Sequence, residues 1–402
     1  MGELLRRFWI PVLLSEELPE ADGTPKKIVV MGEELLAFRD SRGVVGVIDQ
    51  YCPHRGANLW LGRNEECGIR CVYHGWKFDV DGNCVEMPNE PPSSTYREKV
   101  KAIAYRARVR GGLLWVYMGD PATEPQFPGF EWLDLPDEQL YASRWEQECN
   151  SIQAMEGELD AAHVSFLHRR VDRLDDRKQA LSGSYFQVDR APRWHIKDTD
   201  YGFVAASQRD VEDDKSYWRM NQFLLPFYTM ITSEPGNARM TRMWVPKDDE
   251  HCWVLAVNFR PDMKLQDAEL RAWKNGENTH RKVVPGTTQP VETMANDYLI
   301  DRDMQKRVSF TGISGIRAQD AMATESAGPI VDRTKEHLGT SDIAVVKMRR
   351  RLIADAKAHA KAGELPVAAR RGELYRVRPH QAVLDRAAMF DQQEDVLAAM
   401  RA

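Results

Sequence analysis

The 402 residues carry a formal charge of −6 at pH 7, with 43% hydrophobic and 29% charged side chains. That length suits two domains with sizeable cores. The mild acidity and the lack of a dominant basic stripe argue against a nucleic-acid partner, and no apolar run approaches the roughly 18–20 residues that cross a bilayer.

In chain order, Phe8-Trp9-Ile10-Pro11-Val12-Leu13-Leu14 is apolar but short and contains a proline, and Glu16-Glu17-Leu18-Pro19-Glu20 follows it. This reads as a first packed segment rather than an export signal, so the reducing cytoplasm is the expected compartment. Residues 26–118 read as short strands between turns. Lys27–Val30 and Leu35–Phe38 flank Gly32, Val44–Ile48 follows, Trp76–Val80 ends in the turn signal Asp81-Gly82, and Leu113–Met118 closes the series. A proline-rich and acidic loop, Gly119–Asp137, leads into residues 150–168, which have helical character. Strands are expected at Gly202–Ser207, Phe223–Ile231, Arg239–Val245 and Trp253–Phe259. A helical pattern begins near Gln319 and breaks at Gly328-Pro329. A long helix is expected from Asp342 to Lys361, with Ser341 or Asp342 as N-cap and Gly363 beyond its end. Inside it, Lys347-Met348-Arg349-Arg350-Arg351 reads as a solvated face.

Two clusters carry the chemistry. Cys52-Pro53-His54 is followed, after sixteen intervening residues, by Cys71-Val72-Tyr73-His74. Each tight loop can offer one thiolate and one imidazole. A zinc site pairs like ligands, Cys with Cys and His with His. Here each loop mixes the two, which suits a [2Fe-2S] centre with both thiolates on one iron and both imidazoles on the other. Gly56 and Gly75 permit the close turns, and Tyr73 and Trp76 are placed to shield the cluster. Of the remaining cysteines, Cys67, Cys84, Cys149 and Cys252 read as small buried hydrophobes. Cys67 stands near enough to Cys71 to be a further sulfur ligand, but the two histidines make that unnecessary.

The second cluster is Asp160-Ala161-Ala162-His163 and then His168. Two imidazoles and one carboxylate, with positions left open, form the facial triad of non-haem ferrous oxygenases. Residues five apart point about 140° apart on a regular helix. The helix must therefore end, bend or widen between Val164 and Leu167. Asp160 is better placed to accept a hydrogen bond from a histidine ring than to bind metal. The third ligand is expected downstream, at Asp320 rather than Asp297, Asp301, Asp303 or Asp332.

These residues resemble the oxygenase (alpha) subunits of Rieske non-haem iron aromatic-ring-hydroxylating oxygenases, and most of all the phthalate dioxygenase and phenoxybenzoate dioxygenase group. The resemblance is carried by Cys71-Val72-Tyr73-His74-Gly75-Trp76-Lys77-Phe78, Glu156-Gly157-Glu158-Leu159-Asp160, Gln319-Asp320 with Glu325, and Gly328-Pro329-Ile330-Val331-Asp332-Arg333. One departure is Ser151, where the family pattern would have tryptophan. The resemblance implies an α+β architecture: a β-rich Rieske domain, residues 1–140, then a helix-grip catalytic domain, residues 141–402. It implies a [2Fe-2S] cluster on Cys52, His54, Cys71 and His74, mononuclear Fe(II) on His163, His168 and Asp320, and Asp160 bridging the two centres. It also implies a separate flavin and iron–sulfur NAD(P)H-dependent reductase, dioxygen, a small aromatic substrate, and head-to-tail assembly as a homotrimer or hexamer. The alternatives are an O-demethylating monooxygenase on the same residues and, in another class, a Rieske electron carrier. For an aromatic carboxylate, the strands after the iron helix offer Arg209, Arg219, Arg239 and Arg242. Alternation puts Arg239 and Arg242 on opposite faces, and Arg209 and Arg242 are the expected substrate contacts, Arg209 at a pocket mouth.

Overall fold

A computed structural model describes residues 2–172, 181–212 and 214–402, without the side chains of residues 181–184. The chain divides into two compact units. One holds residues 2–125 and 245–248, the other residues 126–244 and 249–402.

The first unit contains β1 (Trp9–Leu14), β2 (Lys26–Val30), β3 (Glu33–Arg39), β4 (Val45–Asp49), β5 (Arg63–Glu65), β6 (Gly68–Arg70), β7 (Lys77–Phe78), β8 (Cys84–Glu86), β9 (Ala104–Arg110) and β10 (Leu113–Tyr117). A six-stranded antiparallel sheet runs β1-β10-β9-β4-β3-β2, and a smaller one runs β5-β6-β7-β8. The expected strand Trp76–Val80 shrinks to two residues. Asp79 already turns the chain, accepting from the Gly82 backbone N–H. The core joins Leu36, Phe38, Ile48, Leu59, Ile69 and Phe78 to Cys52, Cys71 and Trp76, so the cysteine loops grow out of packed hydrophobic residues.

The second unit is built on an antiparallel sheet of β11 (Leu140–Gln147), β12 (Arg193–Thr199), β13 (Gly202–Glu212), β14 (Lys215–Leu224), β15 (Tyr228–Met230), β16 (Arg239–Pro246), β17 (Cys252–Phe259) and β18 (His380–Asp385). The order is β11-β17-β16-β15-β14-β13-β12, with β18 also pairing β14. The expected run Phe223–Ile231 is two strands, interrupted at Leu225-Pro226, where proline offers no N–H to the ladder. The helices that matter are α1 (Ser151–Leu159), α2 (Leu181–Val188), α3 (Ile316–Glu325) and α4 (Ile343–Ala362). Asn150 caps α1 by accepting from the Ile152 N–H at 3.0 Å. Helix α4 ends at Gly363, whose φ of 67° suits a residue without Cβ. Asp342 is its N-cap but spends its carboxylate on the Gly339 N–H, 2.7 Å away.

The basic run on α4 is not simply solvated. Arg349 reaches Glu156 of α1 at 2.7 Å and Glu336 at 2.6 Å. Arg333 adds a second contact to Glu156 at 3.0 Å. This network ties α4 to the middle of α1. No helix among the described residues is long and apolar enough to cross a membrane.

Candidate metal centres

The two cysteine loops repeat one hydrogen-bond scheme. Cys52 N–H donates to Ala57 O at 2.8 Å, and Gly56 N–H to Cys52 O at 2.8 Å; Cys71 N–H donates to Trp76 O at 2.8 Å, and Gly75 N–H to Cys71 O at 3.0 Å. Each fold-back needs a left-handed residue, supplied by Gly56 and Gly75 at φ 71° and 76°. A Cβ on Gly75 would also stand 2.7 Å from Pro88 Cγ. The loops bring the His54 and His74 rings to a centroid distance of 4.5 Å. Trp76 lies flat on His54 at 4.2 Å and donates its indole N–H to Asn89 Oδ1 at 2.6 Å. Tyr73 covers His74 at 3.9 Å but is itself half exposed. Arg70, just before Cys71, holds the second loop through Gly75 O at 3.1 Å.

The donor set fits a [2Fe-2S] cluster. Both cysteines are buried. Burial pushes the Cys52 thiol up to about 11, and Cys71 beside it adds to the rise. His74 Nδ1 is buried and has no hydrogen-bond partner among the described residues. Metal coordination satisfies that nitrogen and holds both sulfurs as thiolates. Cys67 takes no part. It is a left-handed residue, φ 61°, at the turn between β5 and β6, and it is only partly buried. Cys84, Cys149 and Cys252 are buried as expected.

In the other unit, α1 stops at Leu159. Asp160 then folds its carboxylate back onto the Ala162 N–H at 2.7 Å and the His163 N–H at 3.3 Å. A short 3₁₀ turn over His163–Ser165 ends at Phe166, φ −126°. The expected irregularity is therefore present, and it begins before His163 as well as after it. The outcome is convergence. His163 Nε2 and His168 Nε2 stand 3.2 Å apart. Asp320 Oδ1, from α3, lies 3.0 Å from His168 Nε2 and 3.7 Å from His163 Nε2.

Each of these groups is engaged on its far side. His163 Nδ1 faces Asp160 Oδ2 at 3.5 Å. His168 Nδ1 meets Gln319 Oε1 at 2.8 Å, and Gln319 Nε2 donates to Ile313 O at 2.8 Å. That second bond fixes the amide so that its oxygen accepts from His168, which leaves the Nε2 lone pair directed at the other ligands. Arg317 Nη1 lies 3.1 Å from Asp320 Oδ2, and its other amino group pairs with buried Glu158. Burial alone would raise the Asp320 carboxyl, but His168 and Arg317 hold it well below the usual carboxylate range. Three lone-pair atoms within 4.8 Å of one another repel unless a cation joins them, so the set suits a divalent metal with open positions.

Sequence reasoning placed Asp160, His163, His168 and Asp320 but missed Gln319, Arg317 and Glu158 as their supports. Gln319 stood inside a recognised segment; the signal for its role was its place beside the ligand on a helix. Arg209 and Arg242 are fully buried in the sheet, so Arg209 closes no pocket mouth. Arg209 donates to Ala161 O and Asp189 O; Arg242 donates to Thr279 O and Asn258 Oδ1. Beside His163 opens a cavity of about 630 Å³, lined by Phe166, Leu167, Phe310, Ile313 and Met322, of a size that takes small aromatic ligands.

Residues 8–100 match the Rieske [2Fe-2S] domain family, and residues 116–397 match the family described as LigXa C-terminal domain like. The chain is 39% identical to the 3-chlorobenzoate-3,4-dioxygenase oxygenase subunit of Comamonas testosteroni, over 91% of this chain and 87% of that one. It is 38% identical to the phthalate 4,5-dioxygenase oxygenase subunit of Pseudomonas putida, over 90% and 84%. Its fold is similar to that of dicamba monooxygenase bound to dicamba, with a TM-score of 0.59, 18% identity, and 89% and 98% of the two chains covered. Matches of this length leave one conclusion: the chain belongs to the Rieske-type oxygenase subunits, oxidoreductases that carry a [2Fe-2S] cluster and a mononuclear iron.

Proposed function

We propose that this chain is the terminal oxygenase of a multicomponent system that hydroxylates or dihydroxylates an aromatic ring bearing a carboxylate. One observation carries the oxygenase chemistry: Nε2 of His163, Nε2 of His168 and Oδ1 of Asp320 face one another while their far sides are held by Asp160, Gln319 and Arg317. His163, His168 and Asp320 are the proposed iron ligands, in the domain of residues 141–402. Cys52, His54, Cys71 and His74 are the proposed cluster ligands, in the domain of residues 1–140. The aromatic carboxylate is supported by the chlorobenzoate and phthalate named in two relatives, and by the buried positive charge of Arg209 and Arg242.

When bound, the cluster supplies single electrons, and the ferrous ion supplies open positions for dioxygen beside the substrate. The chain's own residues set the terms. Gln319 keeps His168 in the tautomer with a free Nε2. Arg317 occupies Asp320 Oδ2 and leaves Oδ1 as the donor. Asp160 orients His163, and in a head-to-tail homotrimer or hexamer it would lie between one protomer's iron site and its neighbour's cluster. Apolar side chains around His163 keep bulk water from the reacting centre. Electrons come from a separate flavin and iron–sulfur NAD(P)H-dependent reductase. Cys52, Cys67, Cys71, Cys84 and Cys149 form no disulfide among the described residues, which suits a reducing cytoplasm.

The test is a panel of aromatic acids turned over with a surrogate reductase under labelled dioxygen. Label in a hydroxylated or dihydroxylated acid is the expected result. Absence of labelled product across the panel, with both metals loaded, would contradict the proposal. Loss of a methyl group as formaldehyde would instead identify O-demethylation.

A further inference from the structure

The sheet face turned toward α1 carries three arginines: Arg209 on β13, Arg219 on β14 and Arg242 on β16. The register puts them together. Ser207 pairs with Arg219, Arg209 with Tyr217, Phe223 with Thr229, and Thr229 with Arg242, so side chains two apart on β13 and β14 share this face. The face meets α1 and the segment after it through Asn221 to Glu158 O at 3.4 Å and Arg209 to Ala161 O, two residues before His163. All three arginines are at least nine-tenths buried, with 0%, 9% and 0% exposure.

Buried cations need anions or a full set of acceptors. Among the described residues, most carboxylates near this face are committed elsewhere. Arg317 takes Glu158 and Asp320, Asp160 faces His163, and Asp189 accepts from the Ala191 and Asp210 N–H groups; Glu234 acts on Arg219 at longer range. Arg209 uses Nε on Asp189 O at 3.1 Å, one amino group on Ala161 O and the other on Ser207 Oγ at 3.4 Å. Arg242 uses both amino groups, on Thr279 O at 2.8 Å, Asn258 Oδ1 at 3.2 Å and Thr241 O at 3.3 Å. Arg219 differs. Among the described residues, its one hydrogen bond runs from Nε to Thr232 Oγ1 at 2.7 Å. Both Nη groups, four of the guanidinium's five N–H donors, meet no acceptor among the described residues.

Arg219 and Arg209 also stand over the same ring, Phe186 of α2, at 5.5 and 4.8 Å from its centroid. Two guanidiniums on one ring concentrate positive charge on this face, which favours an anion. Burial, then the neighbouring Arg219, brings Arg209 down to about 10. Arg209 donates to Ala161 O, two residues before His163, which sets this face beside the iron ligands. The 630 Å³ cavity that opens beside His163 offers no buried cation of its own to a carboxylate. Its one arginine, Arg302, is exposed, and Asp297 lines the same cavity.

We propose that Arg219 binds the substrate's carboxylate, its two Nη groups forming a bidentate fork, while Arg209 and Arg242 are held by their own carbonyl and amide acceptors and contribute charge. This rests on the aromatic-acid reading of the site and names the residue that enforces it. The planar fork matches a carboxylate, and lysine cannot reproduce it.

The experiment measures equilibrium binding of a monocyclic aromatic acid, and of its uncharged carboxamide, to the intact protein with its cluster loaded. Wild type, Arg219→Met, Arg219→Lys and Arg242→Met are compared, with thermal denaturation as the folding control. Arg219→Met should weaken acid binding by about ten- to a hundredfold and change carboxamide binding by less than about threefold. Arg219→Lys should fall between the two, because it keeps the charge and loses the fork. Acid binding by Arg219→Lys equal to that of wild type would overturn the fork. Unchanged acid binding in Arg219→Met, alongside its loss in a folded Arg242→Met, would move the contact to Arg242. A wild type that binds acid and carboxamide equally would overturn the aromatic-acid reading itself.

Discussion

Gln319 is the residue whose removal most cleanly separates ligand geometry from ligand identity. It touches no open coordination position, yet it fixes His168 through a 2.8 Å contact to Nδ1 and is itself fixed by a 2.8 Å bond to Ile313 O. Gln319→Leu keeps the approximate volume of a residue that is 8% exposed. It strips a partner from the His168 Nδ1–H and another from the Ile313 carbonyl. Each buried group left unpaired costs about 1–3 kcal/mol. Loss of an outer partner typically costs 10–100-fold in metal affinity, which is about 1.4–2.7 kcal/mol. Gln319→Glu retains the acceptor and should keep iron binding within about tenfold of wild type, although the Ile313 carbonyl still loses its donor. The assay is ferrous titration of protein stripped only of its mononuclear iron, with the visible Rieske absorption as internal control. Leucine and glutamate should split by at least about tenfold. Equal affinity in wild type and Gln319→Leu would refute the claim that the amide sets the histidine's tautomer. Loss of the Rieske signal would show a general disturbance instead.

Three further outcomes follow from the same geometry. Arg317→Met leaves Glu158 buried without its cation and frees Asp320 Oδ2, so denaturation should show a loss of about 3–5 kcal/mol; the double variant with Glu158→Met should recover part of it, and a merely additive double would contradict the pairing. Asp160→Asn should retain both metals yet slow oxidation of the cluster in a single turnover, since it loses the charge that orients His163; a wild-type rate would make Asp160 purely structural. Cys52→Ser or His74→Ala should bleach the visible spectrum while ferrous ion still loads the His163 site; an intact Rieske signal would remove that residue from the cluster.

The metal-binding loops were legible in the sequence because their chemistry is local. A Cys-x-His and a Cys-x-x-His, each closed by glycine, specify ligand type and turn geometry within a few residues, and the structure repeats one hydrogen-bond scheme in both. The 140° mismatch between His163 and His168 was legible too, as an argument that the helix must fail. What failed it was not. Asp160 ends α1 with its own side chain, an alternative the backbone takes up when a carboxylate can reach the next N–H groups. The supports of the triad were hidden for another reason. Gln319 and Arg317 meet His168 and Glu158 across about 150 positions of sequence, and only the packing of α3 against α1 joins them. Strand alternation correctly separated Arg239 from Arg242 but said nothing of hydrogen-bond partners. It could not distinguish Arg209, whose three nitrogens all donate, from Arg219, whose amino groups meet no acceptor among the described residues. Pro226 was a visible breaker inside Phe223–Ile231, and it divides that run as the missing N–H requires.

The central claim is that one chain holds two distinct iron centres, with the second on His163, His168 and Asp320. Iron and acid-labile sulfide analysis of wild type and His163→Ala tests it most directly. Wild type should hold about three irons and two sulfides per chain. The variant should lose one iron, keep both sulfides and an unchanged Rieske spectrum, and form no oxygenated product. A variant that retained the full iron content, or still turned over substrate, would contradict the account.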